Sequence, residues 1–150
     1  MTRARILVVE DEAVVALDIR VQLSGHGYEP VGHATRGEQA IALAGTLRPD
    51  LVLMDIRLGG AMDGIEAAGV IRARHGIPVV FLTAYAEEET IERARHVEPA
   101  GYVIKPFTER ELRTVVEMAL YKATADRRLL MEPAELRALF KGEWGQRSGA

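Results

Sequence analysis

The sequence predicts a doubly wound α/β domain: a five-stranded parallel sheet in the order 2-1-3-4-5 with helices on both faces. Five short apolar runs recur along the chain, and four are continuous rather than alternating, as in strands covered on both sides. Helical periods of apolar residues lie between them, so each strand is followed by a helix. Strand starts fall near residues 5, 28, 50, 78 and 100, a beat that suits βα units joined by right-handed crossovers.

The first run, Arg5-Ile-Leu-Val-Val9, leads into a helix with Val14, Leu17 and Val21 as its apolar period and Gly25 and Gly27 behind it. Tyr28-Glu-Pro-Val31 is the weakest strand and is read as an edge. Ala40, Ile41, Ala44 and Leu47 mark the second helix, which Pro49 ends. The third strand, Asp50-Leu-Val-Leu-Met54, precedes a helix with Ile65, Ala68 and Ile71, opened by Asp63-Gly-Ile-Glu66 and closed by Gly76-Ile77-Pro78. Pro78-Val-Val-Phe-Leu82 is the fourth strand. Its helix begins at Glu87-Glu88-Glu89 and has only Ile91 and Ala94 for anchorage, which suits it to moving. Gly101-Tyr-Val-Ile104 is the fifth strand, and the capping box Thr108-Glu-Arg-Glu111 opens a last helix with Leu112, Val115, Val116, Ala119 and Leu120, expected to run to Leu130.

The 150 residues carry 19 Lys and Arg against 22 Asp and Glu, with no cysteine. Thiol catalysis, thiolate metal sites and iron–sulfur clusters are thereby excluded, and nothing points to an oxidising compartment. Glu10-Asp11-Glu12 cuts the first apolar run short of a signal sequence, and the stretch from Ile77 to Ala86 is about half of the roughly 20 residues a membrane span needs. A cytoplasmic location without membrane contact is the expectation. With no basic run, one Trp and three Phe, the chain has no electrostatic footprint for nucleic acid. His26, His33, His75 and His96 lack ligand spacing and are read as surface residues.

Ligands of such sheets bind at the carboxyl ends of the strands. There stand Glu10 and Asp11 after the first strand, Asp55 after the third, Thr83 after the fourth and Lys105-Pro106 after the fifth; the second strand contributes nothing comparable. Taken singly these residues have plain explanations: Asp11 as a helix cap, Thr83 as a turn residue, Lys105 as a surface lysine, Tyr102 as core. Asp63 is assigned to capping alone. Their shared rim is what lifts the others. Three close carboxylates repel unless a cation joins them, and oxygen-only ligands favour Mg²⁺. Lys105 and the Thr83 hydroxyl suit phosphoryl oxygens, and an aspartate such as Asp55 can itself become an acyl phosphate.

These residues are where the chain resembles the receiver domains of bacterial two-component response regulators, over about residues 4–122. The match lies in Val8-Val9-Glu10-Asp11-Glu12, Leu53-Met54-Asp55-Ile56 followed by Met62-Asp63-Gly64, Phe81-Leu82-Thr83-Ala84, and Gly101-Tyr102-Val103-Ile104-Lys105-Pro106-Phe107. The resemblance implies a flavodoxin-like receiver fold in which Asp55 accepts a phosphoryl group from a sensor histidine kinase or histidine phosphotransfer protein. It implies that Glu10, Asp11, Asp55 and the backbone carbonyl of Arg57 hold Mg²⁺, and that Thr83 and Lys105 contact the phosphoryl group. Tyr102 would change rotamer with Thr83, and the Lys105-Pro106 bond would be cis. A downstream protein would read the face of helix four, strand five and helix five. Enzymatic activity would be confined to Mg²⁺-dependent self-phosphorylation and self-dephosphorylation at Asp55.

The sequence departs from the family pattern after Asp55, where Ile-Arg-Leu-Gly-Gly-Ala-Met-Asp-Gly lacks the usual proline and has one extra residue, predicting a more pliable loop. Arg57 and Tyr85 stand where the family tunes dephosphorylation. The receiver is expected over residues 1–122 and a helical C-terminal extension with a flexible tail over 123–150, with Pro133 interrupting and Leu136, Leu139 and Phe140 forming a short amphipathic piece. Those last 28 residues are too few for a winged-helix domain, so output is expected through another protein or a homodimer, with Leu112, Val116, Ala119 and Ala123 as a pairing seam. Two other classes share the fold. An aspartyl-phosphate phosphatase wants an acid/base carboxylate where Arg57 stands, and a flavin or nucleotide module wants a Gly/Ser/Thr-rich loop where Glu10-Asp11-Glu12 stands.

Overall fold

A computed structural model describes residues 3–84 and 88–131, with the side chains of the last helix as far as Asp126. In chain order the elements are β1 (Arg5–Val9), α1 (Ala13–Gly25), β2 (Glu29–Ala34), α2 (Gly37–Leu47), β3 (Leu51–Asp55), α3 (Gly64–His75), β4 (Val79–Thr83), α4 (Glu88–Arg95), β5 (Gly101–Ile104) and α5 (Glu109–Met131). The strands form one parallel sheet in the order β2-β1-β3-β4-β5.

Alternation within the strands makes two cores. Ile6, Val8, Leu51, Leu53, Val80, Leu82 and Val103 face α1 and α5, packing on Ile19, Leu23, Leu112, Val116 and Ala119. Leu7, Val9, Val52, Met54, Val79 and Phe81 face the other way, onto Ala40 and Ala44 of α2, Ile65, Ala68 and Ile71 of α3, and Ala94 of α4. Both faces are covered, which is why the strands read as unbroken apolar runs. Each large side chain buried this way contributes about 2 kcal/mol.

Local chemistry ends the helices where the sequence predicts. The Asp63 side chain accepts the Glu66 N–H at 2.9 Å and Thr108 Oγ1 accepts the Glu111 N–H at 3.1 Å, each cap worth about 1 kcal/mol. Ahead of Pro49, Arg48 closes α2 at φ 50°, and Gly76 closes α3 at φ 65°, a left-handed turn that favours glycine.

Two expectations, the buried face of α1 and the pairing seam of α5, are corrected. The face α1 buries is Ala16, Ile19 and Leu23, whereas Val14, Leu17 and Val21 are 81%, 57% and 62% exposed. Apolar residues surround most of this helix, so periodicity leaves its phase open, and the stripe with the bulkier Ile19 and Leu23 packs inward. The plain alternative for Asp11, a cap of α1, is also set aside: the N-cap residue is Glu12, whose side chain makes no capping bond. Leu112, Val116 and Ala119 are buried on the sheet, so no pairing seam runs through them, and among the described residues of α5 the large exposed apolar side chains are Met118 and Tyr121.

Two features add to the sequence reading. β2 continues past Val31 to Ala34, and its register on β1 jumps from Ile6↔Pro30 to Leu7↔Gly32, leaving Val31 as an extra residue. The loop after β3, expected to be pliable, is tied by a backbone bridge between Arg36 and Gly59. Helix α5 runs unbroken through residue 122. Tyr85, Glu87, Pro133, Leu136, Leu139 and Phe140 lie outside the described residues. Among the described residues, no helix is long and apolar enough to cross a membrane.

Candidate functional site

Alternation carries a polar group on one face to the carboxyl ends of β1, β3 and β5. Glu10 follows Ile6 and Val8, Asp55 follows Leu51 and Leu53, and Lys105 follows Val103, all in the phase of the α1/α5 face. They meet: Lys105 Nζ lies 2.8 Å from Glu10 Oε2 and 3.0 Å from Asp55 Oδ2. The other oxygen, Asp55 Oδ1, accepts the Arg57 backbone N–H at 3.0 Å. Glu10 is fully enclosed and Asp55 is 6% exposed, so this is a carboxylate pair sunk into the rim around one ammonium.

Asp11, next in the chain, is exposed. Oxygens of Glu10, Asp11 and Asp55 all lie within 4.8 Å of one another. Burial, and then the hydrogen bond to Asp55, push the Glu10 carboxyl from the ordinary 4.5 up to about 7, with Lys105 pulling the other way. Burial works against the Lys105 ammonium, but its bonds to Glu10 and Asp55 outweigh that and hold its pKa above the ordinary value.

Backbone packing fixes Asp55 from behind. The Gly64 N–H donates to the Ile56 carbonyl at 2.8 Å, and a Cβ on Gly64 would collide with the Asp55 carbonyl. Only glycine lets α3 start this close to the acceptor strand. Thr83, 8% exposed, ends β4 in phase with Val79 and Phe81, on the opposite side of the sheet from Asp55, and its carbonyl accepts the Lys105 N–H at 2.7 Å. The Lys105–Pro106 bond is cis. Tyr102 pairs with Phe81 in register, ring centroids 6.1 Å apart and tilted by 37°, and remains 37% exposed.

The structure thus gathers Glu10, Asp11, Asp55 and Lys105 at one point. It leaves Thr83 beside them on the next strand, and Tyr102 one strand further along the rim. Arg57 touches Asp55 through its N–H. One residue escaped the sequence reading. His33 Nε2 is 2.9 Å from the Glu10 carbonyl, so β2 does reach the rim, and this histidine is half-buried rather than a surface residue. Finding it from sequence requires the irregular β1/β2 register, which no local spacing signals.

The donor set fits a hard divalent cation. All three groups are carboxylates whose oxygens lie within 4.8 Å of one another, and no soft ligand stands among them. Mg²⁺ is the ion such a set suits when waters and a phosphoryl oxygen complete the shell.

Comparison with known proteins agrees with this geometry. The family model for the response regulator receiver domain matches residues 6–117. The transcriptional regulatory protein PdtaR of Mycobacterium tuberculosis is 40% identical over 116 residues, covering 77% of this chain and 56% of that protein. The DNA-binding response regulator MtrA of Mycobacterium leprae is 38% identical over 136 residues, covering 89% and 56%. The chain therefore spans about half the length of these curated relatives. Among solved structures, the signal receiver domain of a modulated diguanylate cyclase from Desulfovibrio desulfuricans superimposes with a TM-score of 0.79 at 38% identity, covering 83% of this chain and 99% of that one. The chain belongs to the response regulator receiver family of two-component signalling.

Proposed function

We propose that this chain is a phosphorylation-operated switch, in which Asp55 takes a phosphoryl group from a phosphohistidine of a sensor kinase or phosphotransfer protein. The P–N bond to the donor imidazole breaks, an Asp55 Oδ–P bond forms, and the imidazole leaves with a proton. The observation that carries this reading is the Lys105 ammonium bonded at once to Asp55 and Glu10 in a buried rim. That cation is placed to follow the charge from the carboxylate to a new phosphoryl oxygen. Glu10, Asp11 and Asp55, with the Arg57 carbonyl, would hold Mg²⁺, which when bound offsets the charge of acceptor and phosphoryl group together.

Within the protein, the Arg57 N–H orients the Asp55 carboxylate, and the α3 packing at Gly64 keeps its backbone from retreating. Thr83 on the adjacent strand donates its hydroxyl to the phosphoryl group, and the half-exposed Tyr102 turns inward behind it. The result is a reshaped α4-β5-α5 face for a downstream protein or a second copy. On the donor's side, the exposed Val14, Leu17 and Val21 form an apolar stripe on the helix that starts three residues after Glu10, a surface for the donor protein.

Intact-protein mass spectrometry after incubation with acetyl phosphate and Mg²⁺ tests the reading. One added phosphoryl group is expected, absent from Asp55→Asn and from a chelated sample. No addition from acetyl phosphate or from a phosphohistidine donor would overturn it.

A further inference from the structure

We propose that His33 is a positioning residue for the acidic pair, clamping the Glu10–Asp11 peptide from the neighbouring strand so that Glu10 and Asp11 are aimed before the ion arrives. The inference deepens the reading of Glu10, Asp11 and Asp55 as the Mg²⁺ holders and rests on it.

Glu10 lies just past the last residue of β1, where a strand end ordinarily loosens. Here both of its peptide groups are anchored to β2. The Glu10 N–H donates to the Ala34 carbonyl at 3.0 Å, and the Glu10 carbonyl accepts from His33 Nε2 at 2.9 Å. A carbonyl has no proton to give, so Nε2 is the protonated nitrogen. Because peptide units are planar, anchoring the unit before residue 10 and the unit after it fixes both of its backbone dihedrals. Those dihedrals set the direction of the Glu10 side chain and the place from which Asp11, exposed and one residue on, extends its carboxylate.

The irregular register is what makes the contact. Val31 is the extra residue, so His33 pairs with Val8 and not with Val9. Paired residues in a parallel sheet share a face, and Val8 belongs to the α1/α5 face from which Glu10 follows by alternation. Without the extra residue His33 would face the other way. The edge strand β2 thus brings a side-chain donor to the site through a one-residue insertion.

The test uses the full chain and two readouts, Mg²⁺ binding by titration calorimetry and phosphorylation by acetyl phosphate as a function of Mg²⁺ concentration, for wild type, His33→Phe, which keeps a ring without the donor, and His33→Gln, whose amide can reach the same carbonyl. For His33→Phe the half-saturating Mg²⁺ concentration is expected to rise about tenfold, as for other residues that orient metal ligands, with the rate at saturating Mg²⁺ within about twofold of wild type. His33→Gln is expected within about threefold of wild type on both measures. Should His33→Phe fail to fold, judged by thermal unfolding without Mg²⁺, His33→Leu takes its place. An unchanged Mg²⁺ requirement in the donor-less variant would overturn the proposal. So would a His33→Gln that is as impaired as His33→Phe. If wild type itself shows no Mg²⁺-dependent phosphorylation, the underlying site reading fails and the clamp with it, a result visible before any substitution.

Discussion

Glu10 occupies the least favourable place for a carboxylate among the described residues: fully enclosed, with Asp55 beside it and one shared ammonium for relief. Its pKa is raised to about 7, so in the metal-free protein it keeps its proton where the unfolded chain, near 4.5, has lost it. A raised carboxyl contributes stability that is full below the unfolded value and is lost as pH rises through the folded one. Metal-free wild type is therefore expected to lose thermal stability between about pH 4.5 and pH 7, and Glu10→Gln to flatten that loss. At pH 8 without Mg²⁺ the Gln variant should unfold a few degrees above wild type, a shift of about 1 kcal/mol, while losing the stabilisation wild type gains from Mg²⁺. Thermal melts at three pH values, with and without 10 mM Mg²⁺ as a roughly saturating choice, check this; a Gln variant less stable than wild type at pH 8 would sink it. At this scale Glu10, Asp55 and Lys105 were legible in the sequence because each stands at the carboxyl end of a strand, and the doubly wound order gathers those ends on one rim. His33 was not, because its contact depends on an inserted residue whose effect appears only when two strands pair.

Among the elements, α3 and α1 differ in what local pattern reveals. The α3 start was readable from its cap, and the structure adds the reason its first residue is glycine. In Gly64→Ala the Asp55 and Ile56 backbone must shift to admit a methyl group, and a loss of about 2–4 kcal/mol is expected in urea unfolding, together with slower phosphorylation by acetyl phosphate. Wild-type behaviour in both would show that α3 can back away from the acceptor strand. For α1 the sequence held apolar residues on two sides, and which side packs is decided by the sheet. The stripe left outside gives its own prediction. Leu17 is 57% exposed, so Leu17→Glu should change stability by less than about 0.5 kcal/mol and leave the acetyl phosphate reaction intact. Transfer from a phosphohistidine protein should fall by about tenfold, as for loss of one apolar anchor. Equal rates for both donors would remove α1 from the docking surface. Helix α4 matches its expected weak anchorage, with Ala94 its one fully buried residue among those described, but it is not untethered. Arg93 reaches Asp63 at 2.6 Å, joining this helix to the cap of α3 beside the acceptor strand, a link between residues 30 positions apart that no local pattern encodes.

Over the whole molecule, the doubly wound order sends every site residue to one end of the sheet and leaves the opposite end to α5 and the connections below β4 and β5. A cleft of about 660 Å³ lies at that far end, with Arg72, Val97, Pro99, Ala119, Lys122 and Asp126 in its walls. The 2-1-3-4-5 order and cover on both faces of the sheet were legible in the sequence, the cover because continuous apolar runs require it. The boundary expected after residue 122 coincides with no helix break, because α5 passes through it. Burial gives a physical criterion in place of a helix boundary. The inward stripe of α5 is Leu112, Val116 and Ala119, with Leu120 packed against its edge. Beyond it Tyr121, Lys122 and 124–126 are exposed and Ala123 is only half-buried. A chain stopped after Lys122 keeps the whole stripe, and its last four carbonyls pass to water, as at any frayed helix end. We expect that truncated chain to unfold within about 3 °C of the full one, equivalent to less than 1 kcal/mol, and to accept a phosphoryl group from acetyl phosphate at the same rate. Calorimetry and the mass assay on both chains decide the matter. A drop of more than about 5 °C would mean that residues past 122 belong to the folding unit through the cleft wall. A slower phosphorylation at unchanged stability would instead mean that the far end of α5 is coupled to Asp55, along the helix that the proposed output face already uses.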